Sequence, residues 1–393
     1  MTDTVVQGHI FPDESQARIG FRSADLEWHG ARSVLWFRDL DGRALDARLA
    51  DAFVLGSLLL WMARAAPVHV HGAVSRTLLR NLDEWQAALH SWLPDDYTPI
   101  AVTADEVVDV EPHPSRRAIA AYSGGLDSAC TAIRHTSASA GWRTEALDSL
   151  LLVHGFDIPL DRTAEFAGAR ERAQRAADAL GLQLRGVATN FRDLDQEWEQ
   201  SHGLALAAAL QVYAPDFGAG LIASSVPYFR IRLPWGSNPL SDRLLSSGVM
   251  RICHDGAELT RTDKARIVAT EPEVLALLRV CWQGDELSKN CGRCEKCVRT
   301  FWALHIAGVR NPACFDEPVT VPPARVRMSA HTTTYWQEMM RLARLADDDE
   351  AIRYISALLR YQRVRGTARR IAPLRAVAVR ARRYPGLGRQ LFS

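Results

Sequence analysis

A chain of 393 residues, 47% apolar, 24% charged and 8% aromatic, has the composition of ordinary globular proteins and length for two or three domains. That size excludes a disulfide-stapled mini-protein, and 47 basic against 46 acidic residues, a formal +1, excludes disorder by charge and nucleic-acid binding by bulk charge. Along the first 113 residues, strand-like Ala31 to Phe37, the apolar run Ala52 to Ala63, strand-like Pro67 to Val74, the amphipathic stretch Thr77 to Leu93 and Thr98 to Val110 read as a small α/β domain without a chemical signature. The run Ala52 to Ala63 is shorter than the ~20 residues of a membrane span and has no basic flank, so it predicts a buried helix, with no export signal or anchor. Glu111 to Ser115, with two prolines in five residues, reads as a linker.

Beyond it, strand-like Ala118 to Tyr122, Leu150 to His154, Leu182 to Ala188 and Gly220 to Ser224 alternate with helix-like Leu126 to His135, Thr163 to Leu180 and Gly203 to Tyr213. This alternation predicts an α/β fold with a doubly wound, mostly parallel sheet, binding its ligand at the carboxyl ends of the strands. Residues 234–256, rich in Gly, Ser, Pro and Asn, read as a long loop facing the substrate. From Tyr354 to Ser393 there are ten arginines and no acid, leaving about −9 for the rest of the chain. The expected organisation is an N-terminal α/β domain over 1–113, a nucleotide domain over 114–280, a four-cysteine region over 281–330 and an Arg-rich helical tail over 331–393. In the tail the regular apolar positions predict helices packed on the body, in preference to a free arm gripping nucleic acid.

The strongest chemical signal is Ala121-Tyr-Ser-Gly-Gly-Leu-Asp-Ser-Ala-Cys130, where a strand turns into a helix. Gly124 and Gly125 let the backbone approach an anion, the amides through Leu126 point from a helix N-terminus, and Ser123 and Ser128 add hydroxyls. Asp127 is a poor neighbour for bare phosphate and so predicts Mg²⁺ between carboxylate and phosphate. The competing reading is a capped strand-to-helix turn. The pattern Ser-Gly-Gly-x-Asp-Ser resembles the PP-loop of the N-type ATP pyrophosphatase superfamily, and no Walker motif is present. That resemblance implies ATP cleavage between the α and β phosphates, as a substrate oxygen attacks the α phosphorus, leaving an adenylated substrate and pyrophosphate.

Cys281, Cys291, Cys294 and Cys297 form C-x9-C-x2-C-x2-C, with Gly292 permitting the turn between ligands. The spacing matches a structural Zn²⁺ site, with Lys289, Arg293 and Lys296 offsetting its charge; an iron–sulfur cluster and a patch of reduced thiols are the rivals. Seven cysteines, an odd number, fit a reducing, cytoplasmic setting. The remaining three, Cys130, Cys253 and Cys314, read as ordinary buried thiols.

With Asp263-Lys-Ala-Arg-Ile-Val268 upstream, the order of motifs over residues 117 to 305 is similar to the 7-cyano-7-deazaguanine synthase family. The resemblance implies that Lys264, one of three lysines in the chain, acts on phosphates or the adenylate together with Asp127 as the catalytic pair, and that the four cysteines hold zinc. Residues 1–115, the last ~75 residues and His154-Gly-Phe-Asp157 have no counterpart there, so the substrate is not inherited. At the expected strand ends lie His154 and Asp157, Thr189 and Asn190, and Ser224 and Ser225, each a ligand contact or a loop cap. His254, Asp255 and Tyr228-Phe-Arg-Ile-Arg232 are expected to line an acceptor pocket, with Arg230 or Arg232 pairing a carboxylate. Thr2 in place of a cysteine leaves ammonia to come from solution or a partner. The expected function is adenylation of a carboxyl or amide oxygen on a small-molecule or peptide acceptor, followed by nitrogen transfer; a PP-loop thiolase acting on tRNA and a non-catalytic nucleotide-binding module are the alternatives.

Overall fold

The computed structural model describes residues 7–45, 48–115, 117–281, 283 and 286–364, apart from the side chains of 330 and 331. Strands β1 (Gly8–Asp13), β2 (Phe21–Trp28) and β3 (Ala31–Asp39) form an antiparallel meander. Helix α1 (Asp51–Ala63) leads to β4 (Val68–Ser75), parallel to β1, and α2 (Arg76–Trp92) leads to β5 (Val102–Val108), parallel to β4. The 111–115 segment then carries the chain from that edge to the middle of the sheet. There β6 (Arg117–Ala121), β7 (Ala146–His154), β8 (Gln183–Thr189), β9 (Ala219–Ala223) and β10 (Arg251–Asp255) run parallel, linked by α3 (Leu126–Thr136), α4 (Thr163–Ala179), α5 (Trp198–Gln211) and the long 224–250 loop.

All ten strands belong to one mostly parallel sheet of order β10-β9-β6-β7-β8-β3-β2-β1-β4-β5. The two halves meet where β3 pairs antiparallel with β8, Phe37 opposite Thr189 and Asp39 opposite Val187. Pairing two edge strands satisfies backbone groups that either would otherwise present to solvent. Asn190 extends the seam past β8: its amide donates to Val34 O at 2.7 Å, and its Oδ1 accepts from Trp36 N at 2.9 Å.

The sheet divides two cores. Ile119 and Ala121 of β6 enter one with α1 and α5, whereas Ala118 and Ala120 enter the other with α3 and α4. Helix α1 is apolar all round and accordingly buried on nearly every side, with Phe53, Leu55 and Leu58 fully enclosed. Each such side chain contributes about 1.5–3 kcal/mol of burial energy. Among the described residues no helix is long and apolar enough to cross a membrane.

After β10 follow α6 (Arg261–Ala269), α7 (Pro272–Ala276), α8 (Glu295–Ile306), α9 (Ala330–Leu345) and α10 (349–364), which build on the second core. Helix α10 carries the start of the arginine-rich stretch and does pack: Ala351, Ile355 and Leu358 are fully buried, and Tyr354 stacks on Trp302 with centroids 4.5 Å apart. Residues 365–393, where most of the tail's arginines fall, lie outside the described residues.

Candidate active site and metal centre

Strand β6 ends at Ala121, and Gly124, at φ +76°, turns the chain so that Gly125 becomes the N-cap of α3. Glycine supplies that left-handed backbone without steric cost, and it brings no side-chain acceptor to the first amides of α3. The loop carbonyls are occupied instead. Arg279 N donates to Gly124 O at 2.7 Å, and its guanidinium donates to Ser123 O at 3.1 Å and Leu287 O at 3.2 Å. With the carbonyls held from behind, the loop is left with backbone donors in the place where an anion would sit. Of the two loop hydroxyls, Ser128 Oγ donates back to Gly125 O at 3.1 Å, and Ser123 Oγ lies 3.4 Å from Gly125 N as its acceptor.

Asp127 stands in the first turn of α3. Lys264 Nζ donates to its Oδ1 at 2.9 Å, and Arg261 approaches Oδ2 at 3.4 Å. Burial pushes the Asp127 carboxyl up, but Lys264 and Arg261 outweigh it and hold the group below the usual carboxylate range. Lys264 also donates to Ser224 O at the end of β9, so one buried ammonium joins the ends of β6 and β9. Its helix is aimed by a reciprocal cap, Thr260 Oγ1 accepting from Asp263 N and Asp263 Oδ2 from Thr260 N. Arg261 is fixed by donating to Thr300 Oγ1 of α8 at 2.8 Å.

The other strand-end candidates divide by role. Asp157 reaches the loop through Arg279, 3.7 Å away. His154 is turned inward: it stacks on Phe166 with centroids 4.0 Å apart and meets Pro159 O at 3.0 Å, a cap of the loop after β7. Asn190 is engaged in the β3–β8 seam, and Thr189 Oγ1 caps Phe191 N. Ser224 contributes its carbonyl, its hydroxyl closing a turn onto Val226 O at 2.7 Å; Ser225 O accepts from Tyr335 of α9 at 3.0 Å.

His254 and Asp255 point to different tasks. Asp255 is buried and ties β10 to α3, accepting from Thr131 at 2.8 Å and Arg134 at 3.1 Å. His254 Nδ1 sits 2.7 Å from Asp242 Oδ2, a fully buried carboxylate that also accepts from Ser237 Oγ and Asn238 N. With the Nδ1 proton donated to Asp242, Nε2 is buried and without a hydrogen-bond partner among the described residues. Around it a small cavity is lined by Ser224, Arg232, Trp235 and Asn238. Of the expected aromatic segment only Ile231 and Arg232 line this cavity; Tyr228 and Phe229 stand exposed, and Arg230 lies over the Phe229 ring. A larger cavity, ≈ 510 Å³, lies elsewhere, between Arg22, Asp51, Glu106 and His113.

The four cysteines converge. Their sulfurs lie within 4.8 Å of one another, with Cys281–Cys294 and Cys291–Cys297 both at 3.8 Å. Zn–S bonds of about 2.3 Å in a tetrahedron require S···S distances of about 3.8 Å. Backbone amides of Gln283, Cys294 and Cys297 donate to the sulfurs of Cys281, Cys291 and Cys294, as electron-rich thiolates favour. The four residues can therefore hold a metal such as zinc.

Sequence reasoning missed Arg261, Arg279, Thr300 and Asp242. Arg261 lies one helical turn from Lys264 and Arg279 two residues before Cys281, and only that adjacency marked them out among 44 arginines. Compared with family models, with curated proteins and with solved structures, the chain finds no match in any of the three.

Proposed function

We propose that the protein is an AMP-forming ATP pyrophosphatase of the PP-loop type, a cytoplasmic ligase that adenylates a carboxyl or amide oxygen on a small-molecule or peptide acceptor and then transfers nitrogen to it. The observation that carries this reading is the cluster of Lys264, Arg261 and Arg279 around a glycine turn whose carbonyls are already bonded. Its position adds support: the parallel half of the sheet, in the order β8-β7-β6-β9-β10, reverses direction between β6 and β9, the switch point at which doubly wound sheets bind nucleotides.

In this reading the first amides of α3 and Arg261 receive the β and γ phosphates, and Lys264 stabilises charge on the α phosphoryl group. The acceptor oxygen bonds to the α phosphorus as the bond to the β-bridging oxygen breaks, and pyrophosphate departs. Ammonia then attacks the activated carbon, AMP leaves, and His254 Nε2 takes the proton released by nitrogen. Mg²⁺, when bound, would neutralise phosphate charge; with Asp127 already paired to two cations, most of its oxygen ligands would come from the phosphates. Zinc at the four cysteines would have no open position and so a structural role.

The deciding experiment is chromatography of labelled ATP incubated with the protein, ammonium and fractionated small-molecule extract. AMP plus pyrophosphate is expected, lost in Asp127→Ala and weakened less in Ser123→Ala. ADP plus phosphate overturns the reading.

A further inference from the structure

We propose a second metal site, for one divalent transition ion of the zinc class, at the far edge of the sheet on His69, His71 and Asp105. The inference is independent of the ATP reading. By the ~4.8 Å spacing of strands the site stands roughly 29 Å from β6, six strand steps away.

The sequence Val68-His-Val-His71 puts both imidazoles on one face of β4, since alternate residues share a face. Beside it, β5 runs in register until Val70 opposite Ala104; between that pair and Ala73 opposite Glu106 the ladder shifts. The irregularity sets two residues of β4, His71 and Gly72, against Asp105, and such bulges re-aim side chains. As a result His69 Nε2 lies 2.8 Å from Asp105 Oδ1, and His71 Nδ1 lies 3.7 Å from Asp105 Oδ2. All three ligand atoms fall within 4.8 Å of one another. Nitrogen and oxygen ligands on a tetrahedral ion, at about 2.0–2.1 Å each, would stand about 3.3 Å apart.

The second observation is what holds the other ring nitrogens. His69 Nδ1 lies 2.8 Å from Thr103 Oγ1, and His71 Nε2 lies 3.1 Å from His9 Nδ1 on β1. With protons at those two positions, both lone pairs turn toward Asp105, the outer-shell arrangement that orients metal-bound histidines. Phe11 stacks flat on His71, 4.1 Å between centroids and 1° between planes, and locks that ring. A divalent cation between the two rings and the carboxylate would be coordinated by all three. Asp105 is 54% exposed and the histidines 25% and 34%, so an ion can enter from solvent and keep a fourth position for water.

The test is metal content and Co²⁺ titration of the full chain without an affinity tag. Two ions per chain are expected: one with thiolate-to-cobalt charge-transfer absorption from the cysteines, and one without it. His69→Ala with His71→Ala should remove only the second ion and leave thermal stability and the cysteine spectrum unchanged. Asp105→Asn should weaken the second ion more than tenfold, and His9→Gln, which touches no ligand atom, by about 10–100-fold. One ion per chain at excess Co²⁺, or a second ion indifferent to these substitutions, overturns the proposal. In that case His69 and Asp105 form a simple hydrogen-bonded pair, and the His69 NMR signals would stay unchanged as Co²⁺ is added.

Discussion

Lys264 Nζ and Asp127 Oδ1 are 2.9 Å apart although 137 residues separate them in the chain, and the same ammonium reaches Ser224 O. A buried cation thus holds the ends of β6 and β9 at a fixed separation. Removing the lysine alone leaves Asp127 beside Arg261 and the Ser224 carbonyl without its donor. Lys264→Met is expected to cost about 3 kcal/mol of stability. It should also reduce AMP formation at least 100-fold, whereas Lys264→Arg restores part of the stability and little of the activity. Denaturant titration and product chromatography on both variants check this.

At Gly124 the left-handed backbone decides: an added Cβ would lie 3.5 Å from Arg279 Cβ, an ordinary contact, but at φ +76°. Gly124→Ala should therefore destabilise the fold by about 1–2 kcal/mol and weaken ATP binding more than tenfold. Calorimetric titration with a non-hydrolysable ATP analogue measures the second effect.

The cysteine centre is expected to carry one colourless zinc ion per chain. Chelation or Cys294→Ser should release α8, and with it the Thr300 contact that fixes Arg261, so nucleotide affinity falls along with thermal stability. Elemental analysis decides the ion. Brown protein with labile sulfide would favour an iron–sulfur cluster and the sulfur-transfer alternative.

Asp51, at the start of α1, provides a pH signature. Burial pushes its carboxyl up to about 6, against the opposing pull of the Ser75 amide bond and Arg22. In the window between the ordinary value of 3.8 and about 6 the folded protein binds more protons than the unfolded chain. This group's contribution is therefore greatest at low pH and is lost as pH rises through that window. Asp51→Asn keeps an acceptor for Ser75 and removes the titration. Relative to wild type, the variant should gain about 1–3 kcal/mol between pH 4.5 and 6.5. Urea unfolding at the two pH values gives the difference directly.

For His254, the buried Nε2 acceptor predicts a split between the two half-reactions. His254→Gln should leave pyrophosphate release within about threefold and slow nitrogen transfer 10²-fold or more. Equal loss of both steps, measured by rapid quench, would assign the histidine to packing alone.

Much of the fold was legible where periodicity was strong: the strands at β6 to β9 and helices α1 to α5 fall within a few residues of their expected bounds. The N-terminal pair β1 and β2 escaped notice because Pro12 and the polar run through Asp25 blur the alternation. Strand β10 was absorbed into a loop reading, since five residues, Arg251 to Asp255, follow a Gly/Ser-rich stretch and pair only at the sheet's edge. The glycine turn, Asp127 and the cysteines are nominated by spacing that is local, and Lys264 by the resemblance alone. Arg261, Arg279 and Asp242 are not nominated, because their roles arise from contacts between distant segments. His154 and Asn190 show the converse: a position at a strand end nominates a residue, but stacking on Phe166 and bonding across to β3 claimed them for structure.

The seam between β3 and β8 makes the two halves of the sheet mechanically one. Hydrogen bonds run unbroken across it, Tyr213 of the second half bonds Asp39 of the first at 2.7 Å, and α1 and α5 share a core. An excised second half would expose the bare edge of β8 and the apolar side of α5, surfaces that invite association with other chains. Unfolding should accordingly be a single transition, and a deletion of the first hundred residues should yield aggregates rather than a smaller folded unit. The first half of the sheet thereby covers the edge and closes the core that the second half would otherwise leave open.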